Sequence, residues 1–341
     1  MPTIRDVAKR AGVATMTVSR VINDSGYVSD GTRAKVEAAV AELGYVPNML
    51  GPSLRFNQTN TLALVLADIT NPFWTTVARG VEDAAHESGY NVILCNTDES
   101  SEKQDQYVTM LLKRQIDGIL LAPACSRAES VELIQNQGVS AVVLDRFVPD
   151  VDVDIIRGDS IGGAYQLTQH LLELGHRKIV VLAGPRDVST SSDRVFGFQQ
   201  AMQDADIETG TDNVYWGNFT ESSGYQQTKQ ALSASQPPTA LFAANNFIAI
   251  GALRALHDAN VRVPDDVSLV AFDDFLDTIN VDPFLTVVSQ PSYDMGYQAT
   301  EMLLQRLTGG DAMEYSNIIL PTKLIVRRSS GPPPLTGLGH L

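Results

Sequence analysis

The sequence predicts a small all-α head followed by a larger α/β body built as two lobes of doubly wound parallel sheets. Three observations carry this. The first 45 residues show apolar stripes at helical spacing, punctuated by Gly12 and Gly44. From Thr61 onward, short apolar runs alternate with amphipathic stretches, which is the signature of strands with crossover helices. A chain of 341 residues with 44% apolar and 19% charged residues is long enough for two or three domains and apolar enough to bury their cores.

In the head, Thr3 precedes Ile4-Arg5-Asp6, a hydroxyl with an acid three residues on, which fits a helix N-terminus. Ile4, Val7, Ala8 and Ala11 recur at i, i+3, i+4, i+7, and Gly12 supplies a left-handed stop. Val18, Val21 and Ile22 form the inward face of a second short helix whose other side carries Thr15, Met16, Ser19, Arg20 and Asn23. A third helix is expected from about Asp30 to Leu43, with Val36, Ala39, Val40 and Leu43 inward. Two short helices joined by a glycine turn match a helix-turn-helix, whose second helix enters the DNA major groove. Thr17 and Ser19 suit phosphates, Arg20 suits a guanine edge, and Thr15 and Met16 suit base edges or thymine methyls. From pattern alone, a three-helix bundle that contacts protein stays open. Charge distribution leaves DNA possible despite the net −15: residues 1–60 carry seven basic and five acidic residues, whereas the remainder carries 18 and 35.

Ile4-Arg5-Asp6-Val7-Ala8-Lys9-Arg10-Ala11-Gly12-Val13, Thr17-Val18-Ser19-Arg20-Val21-Ile22-Asn23 and Leu43-Gly44-Tyr45-Val46-Pro47-Asn48 resemble the headpiece of the lactose-repressor/galactose-repressor family. The resemblance implies a DNA-reading head over 1–46, with Thr3, Thr15, Met16, Thr17, Ser19, Arg20 and Asn23 at the interface. Ala14 departs from the family's usual serine, so the second helix lacks its expected cap, and Thr15 is the substitute that would shift it by one residue. The resemblance also implies a hinge over 47–59 that becomes helical on DNA, with Leu54 wedged into the minor groove and Arg55 on phosphate. Gly51-Pro52 is awkward there, because an interior proline costs about 3 kcal/mol and glycine about 1 kcal/mol against helix. A shorter helix with Gly51 as cap and Pro52 at its first position resolves the conflict. The alternative is a flexible linker without groove contact.

In the body, strands are expected at Leu62–Ala67, Val92–Cys95, Gly118–Leu121, Ala141–Leu144, Ile179–Ala183, Ala240–Ala243 and Ser268–Phe272. Helices are expected near 73–88, 103–114, 127–137, 161–174, 193–205, 222–234, 247–259 and 292–307. So many units exceed one sheet, so two lobes with a ligand cleft follow, and ligands gather at strand carboxyl ends. The loops there hold Asn71-Pro72-Phe73-Trp74, Asp145-Arg146, Asn245-Asn246 and Asp273-Asp274; Arg194 opens a helix, and Gln290-Pro291 recrosses between lobes. Aromatic faces with planar polar groups suit a sugar, although loop Asp and Asn more often close turns.

Leu174-Gly175-His176-Arg177-Lys178-Ile179, Asp193-Arg194-Val195-Phe196-Gly197-Phe198 and Val263-Pro264-Asp265-Asp266-Val267-Ser268-Leu269-Val270 resemble the effector domain of the same family, which is similar to periplasmic sugar-binding proteins. The implied architecture is a helix-turn-helix head plus a two-lobed periplasmic-binding-protein-like domain over 60–328. Its N-lobe would take about 60–158 and 291–319, its C-lobe about 159–290 and 320–328, leaving 329–341 as a flexible tail. By resemblance, Phe73, Trp74, Asp145, Arg146, Arg194, Asn245, Asp273 and Gln290 line the effector pocket. Asn71-Pro72-Phe73 and Asp145-Arg146 are similar to ribose-type binders, and Val188 stands where purine-sensing relatives carry an arginine, which ranks a purine lower.

Enzyme chemistry finds no support. His86, His170, His176, His257 and His340 are scattered without ligand spacing, no phosphate-binding glycine loop follows a strand, and Asp273-Asp274 neighbours point apart. No metal or cofactor is expected. A sugar-binding protein of a transport system is the alternative, but it would leave Thr17–Asn23 unused and calls for a signal peptide that Met1–Arg10 does not resemble. Cys95 and Cys125 are expected reduced and buried, no apolar run reaches the roughly 18 residues of a membrane span, and a cytoplasmic setting follows. The expected partners are a pseudo-palindromic double-stranded operator, a small-molecule effector and a second copy of the chain, since the tail is too short for a tetramerising coil.

Overall fold

The computed structural model describes residues 2–46, 59–275, 282–309 and 314–334. The chain forms two compact units, Met1–Thr59 and Asn60–Leu341. The expectations for Gly51-Pro52, Leu54 and Arg55 lie outside the described residues.

The first unit holds α1 (Ile4–Ala11), α2 (Thr15–Ile22) and α3 (Asp30–Leu43). Their inward stripes meet in one core of Val7, Ala8, Val18, Val21, Val36 and Ala39. The Asp6 carboxylate accepts from the Thr3 N–H at 2.8 Å and the Thr3 hydroxyl at 2.7 Å, closing the start of α1. Gly12 and Gly44 end α1 and α3 in the left-handed conformation, at φ 68° and 57°. At α2 the expected shift does not occur: Ala14 occupies the cap position without a side-chain bond, and Thr15 is the first helical residue. The backbone explains this, because the Ala14 carbonyl already accepts from Thr17 and Val18.

The second unit contains two six-stranded sheets. The first comprises β1 (Thr61–Leu66), β2 (Asn91–Asn96), β3 (Gly118–Leu121), β4 (Ser140–Leu144), β5 (Asp154–Gly158) and, late in the chain, β11 (Asn317–Leu320), in the order β11-β5-β4-β3-β1-β2. The second comprises β6 (Ile179–Ala183), β7 (Val214–Trp216), β8 (Ala240–Ala243), β9 (Ser268–Phe272), β10 (Thr286–Ser289) and β12 (Lys323–Ile325), in the order β12-β10-β9-β8-β6-β7. The two orders are the same pattern repeated, so β4 corresponds to β9 and β5 to β10. All pairings are parallel except β10 with β12, which is antiparallel, a departure from purely parallel sheets. The central strands are buried on both faces, as parallel sheets require.

Helices cover both faces: α4 (Pro72–Glu87), α5 (Ser101–Lys113), α6 (Glu129–Asn136), α7 (Ser160–Glu173), α8 (Ser189–Asp204), α9 (Glu221–Leu232), α10 (Asn246–Asp258) and α11 (Ser292–Gly309). The lobes exchange one helix each. After β5 the chain enters the C-lobe, where α7 packs on α8; after β10 it returns to the N-lobe, where α11 packs on α4. Glycines set these contacts. A Cβ on Gly80 would lie 2.2 Å from the Tyr293 carbonyl oxygen, one on Gly296 2.1 Å from that of Val77, and one on Gly197 2.2 Å from that of Ile161. The crossing segments lie side by side, since Asp159 N–H donates to the Leu320 carbonyl at 2.9 Å and Gly158 leaves room for the Gln290 amide.

Two expectations are corrected. Helix α8 begins at Ser189, so Arg194 sits in its second turn rather than opening it. The free tail does not begin at Ser329: Ser329 is fully buried, its hydroxyl donates to the Leu269 carbonyl at 2.5 Å, and the Gly331 N–H donates to Ser268 Oγ at 3.0 Å. These bonds seat the segment against the first residues of β9 and β10, and a proline-rich composition does not reveal them.

Candidate ligand cleft and nucleic-acid interface

The loops after β1, β2, β3 and β4 face those after β6, β7, β8 and β9 across a cleft of about 560 Å³ between the lobes. Of the residues expected there, Phe73, Trp74, Asp145, Arg146, Arg194, Asn245 and Asp273 lie on its walls. Gln290 does not; it lines an adjoining recess of about 310 Å³. From there its Nε2 donates to Asp273 Oδ1 at 2.7 Å, so it holds a wall residue in place.

The geometry follows from the local sequence. Asn71 caps α4 by accepting from the Phe73 N–H at 3.0 Å, and Pro72 starts the helix where its missing N–H costs nothing. The first turn thereby presents Phe73 and Trp74 as an edge-to-face pair with centroids 4.9 Å apart. The Asn71 amide also exchanges two hydrogen bonds, at 3.1 and 2.9 Å, with that of Asn246 in the opposite lobe. Asn245, also on the cleft wall, caps α10 through its oxygen, bonded to the Ile248 N–H at 2.8 Å.

Asp145 and Asp273 occupy corresponding positions after β4 and β9. Both are left-handed, with φ 63° and 65°, a conformation that aspartate tolerates better than most residues. Each N–H donates to the next strand at 2.9 Å, Asp145 to Ile156 and Asp273 to Val288, and this bond turns each carboxylate towards the cleft. Burial pushes the Asp145 carboxyl up to about 6, against the opposing pull of Arg194 and Arg146. Burial also raises Asp273, again opposed by Arg194. The Arg194 guanidinium stacks 3.8 Å above the Phe272 ring and donates from Nη1 to the Ala244 carbonyl at 2.6 Å; Nη1 lies 3.7 Å from Asp273 Oδ2. Arg146 is bound bidentately by Glu99 at 2.7 and 2.6 Å. Asp68, Asp98, Glu99, Asp187 and Phe219 also line the cleft and were not expected from the sequence. Their position just past strand ends was the available signal, but β7 is too short to announce itself.

In the head, Met16, Ser19, Arg20 and Asn23 follow one another at helical spacing on the face of α2 opposite its core residues. Met16 is 64% exposed, and Thr15, Arg20 and Asn23 are exposed, whereas Thr17 and Ser19 are half-buried. Among the described residues, Arg20, Arg5, Lys9 and Lys35 have no protein partner, while Arg10 pairs with Glu42 and Arg33 with Asp24. Asn23 is partly committed: its Nδ2 donates to the Ser19 carbonyl at 2.9 Å, ending α2. The Thr3 hydroxyl donates to Asp6, so its proton serves α1.

A helix-turn-helix with an exposed, cation-bearing face, followed in the same chain by a two-lobed cleft, defines a ligand-responsive DNA-binding regulator. The chain belongs to the LacI family: residues 3–48 match the family model for bacterial regulatory proteins, lacI family, and 59–327 match that for periplasmic binding proteins and the sugar binding domain of LacI family. It is 34% identical over 331 residues to the HTH-type transcriptional repressor PurR of Haemophilus influenzae, covering 96% of this chain and 98% of that one. The structure of a transcriptional regulator CelR–cellobiose complex shares 35% identity and a TM-score of 0.74, covering 96% of this chain and all of that one. The lac repressor dimer bound to operator and the anti-inducer ONPF shares 28% identity and a TM-score of 0.84, covering 97% and 99%. The chain is therefore a transcription regulator of a non-enzymatic family. Among the described residues no helix is long and apolar enough to cross a membrane.

Proposed function

We propose that this protein is a cytoplasmic repressor that binds a pseudo-palindromic operator as a homodimer, with an affinity set by a saccharide held between its lobes. The observation that carries the reading is the convergence of Asp145 from one lobe with Arg194 and Asp273 from the other on a single cleft walled by Phe73 and Trp74. Such a site feels both lobes, so a ligand bound there favours one lobe arrangement through its differential affinity for the two. Arg146 orients the Asp145 turn, Asn245 offers its amide nitrogen to a hydroxyl, and Gln290 positions Asp273.

In the head, Arg20 addresses a guanine edge and Thr15 and Met16 base edges or thymine methyls, with Thr17 and Ser19 on phosphate and Asn23 beside them at the interface. Thr3 shapes the start of α1, and the unpartnered Arg5, Lys9 and Lys35 supply phosphate contacts. Leu54 serves as minor-groove wedge and Arg55 as its phosphate contact, on the strength of the family resemblance. A transport-associated binding protein is not favoured, because residues 3–48 match the regulatory head. The test is a mobility shift on a palindromic duplex, titrated with salt and with sugars. Arg194→Ala or Asp273→Ala is expected to abolish the sugar response while leaving operator affinity intact. Loss of both together would contradict the assignment.

A further inference from the structure

We propose that the cleft is a charge filter: it accepts a neutral saccharide and rejects the phosphorylated form of the same sugar, an inference that rests on the cleft being the effector site. Six carboxylates line the cavity (Asp68, Asp98, Glu99, Asp145, Asp187 and Asp273) against the two guanidinium groups of Arg146 and Arg194. Arg146 is committed through both terminal nitrogens, and Arg194 through Nη1 alone. Both terminal nitrogens of Arg146 are held by Glu99, and Nη1 also donates to the Pro123 carbonyl at 2.5 Å. Arg194 is engaged by Ala244 and flanked by Asp273, and Lys103, beside the cleft, is paired with Asp98. No side-chain ion pair neutralises the exposed Asp187 among the described residues.

A second, independent observation shows what the walls lack. Asp145 is 6% exposed, and its Oδ1 is buried without a hydrogen-bond partner; Arg194 Nε is likewise buried and unpartnered. A buried acceptor and a buried donor on walls that converge call for groups that can both donate and accept. Sugar hydroxyls do both. A phosphate only accepts: it can meet Arg194 Nε but not the Asp145 carboxylate, and it brings negative charge into a cavity where six carboxylates face two guanidinium groups.

The test is calorimetry on the full-length protein with matched pairs: ribose and ribose 5-phosphate, glucose and glucose 6-phosphate, cellobiose and its phosphate monoester. At least one neutral member is expected to bind, with its ester weaker by about 100-fold or more, the scale of a few kcal/mol of like-charge repulsion. The double variant Asp68→Asn, Asp187→Asn is expected to narrow that ratio by at least about tenfold, as is raised salt. An ester binding as tightly as its parent sugar overturns the filter, and its loss in Arg194→Ala then shows that the cleft remains the effector site. A wild-type preference that the double variant leaves unchanged also overturns the filter, because the discrimination is then one of shape. Failure of every pair to bind overturns the saccharide reading and the filter together.

Discussion

Asp145 is the residue whose environment is most at odds with its chemistry, a carboxyl taken out of water in a turn that only its neighbours justify. Its folded pKa of about 6 lies above the ordinary 3.8, so between these values the folded chain holds more protons than the unfolded one. Asp145 therefore adds stability as pH falls through 6, the reverse of a salt-bridged carboxylate, and withdraws it as pH rises. Arg194, Arg146, Asp273 and Glu99 are the charged groups acting on it. A sugar hydroxyl donating to the ionised carboxylate pulls that pKa down. Sugar affinity is expected to rise from pH 5 to 7 with proton release, and Asp145→Asn is expected to flatten the profile, as calorimetry in buffers of different ionisation enthalpy can measure. At the other end of the chain, Arg20 stands exposed and unpaired on α2. Arg20→Ala is expected to lose about 1–3 kcal/mol of discrimination at one operator position. Competition binding with single-base operator variants checks it, with unchanged sugar binding as the control. Both residues stand out in the sequence, but the burial of Asp145 and the freedom of Arg20 depend on distant partners.

At the scale of elements, the lobe exchange depends on bare helix faces. Gly80 and Gly296 let α4 and α11 approach until backbone meets backbone, with no side chain that could yield. Gly80→Ala or Gly296→Ala is expected to destabilise the effector domain by about 1–3 kcal/mol in denaturant unfolding, as overpacking does. The same helix α11 is tied to β5 by a buried pair, Arg306 Nε to Asp154 Oδ2 at 2.6 Å, whose other oxygen accepts from the Ser316 N–H at 2.9 Å. Removing one partner strands the other, so Arg306→Ala is expected to cost about 3–5 kcal/mol in the same measurement. Strands β3, β6, β8 and β9 were legible and fall at the residues expected. Strands β5, β7, β10, β11 and β12 were not: β7 has three residues, the others carry Asp154 and Arg157, Thr286 and Ser289, Asn317 and Lys323 within them, and all owe their pairing to neighbours far along the chain.

For the whole molecule, the repeated sheet order explains why two aspartates in the same turn face one cleft. A lobe presents one carboxylate, and only the pair of lobes makes a site. In the proposed dimer the two heads must match the helical repeat of DNA. Inserting about five base pairs, half a turn, between the half-sites is expected to abolish tight binding by the full chain. A mobility-shift series over spacer lengths reads this directly; tolerance of every spacing would contradict a rigid pair of heads.

The sequence by itself determined the class of the protein. The stripes of α1 to α3, the strand–helix alternation and the motifs around Arg20 and Arg194 are local patterns, set by the 3.6- and 2-residue periods of the backbone. Only the tertiary structure decided which charges are free. Arg146 and Arg194 look alike as ligands in the sequence, yet each is claimed by a partner some 50 residues away, Glu99 and the Ala244 carbonyl. Gln290 was moved from the wall of the cleft to the support of Asp273, and Ser329 from a free tail to the ends of β9 and β10. Burial and pairing are set by what folds back against a residue, and periodicity holds no record of that.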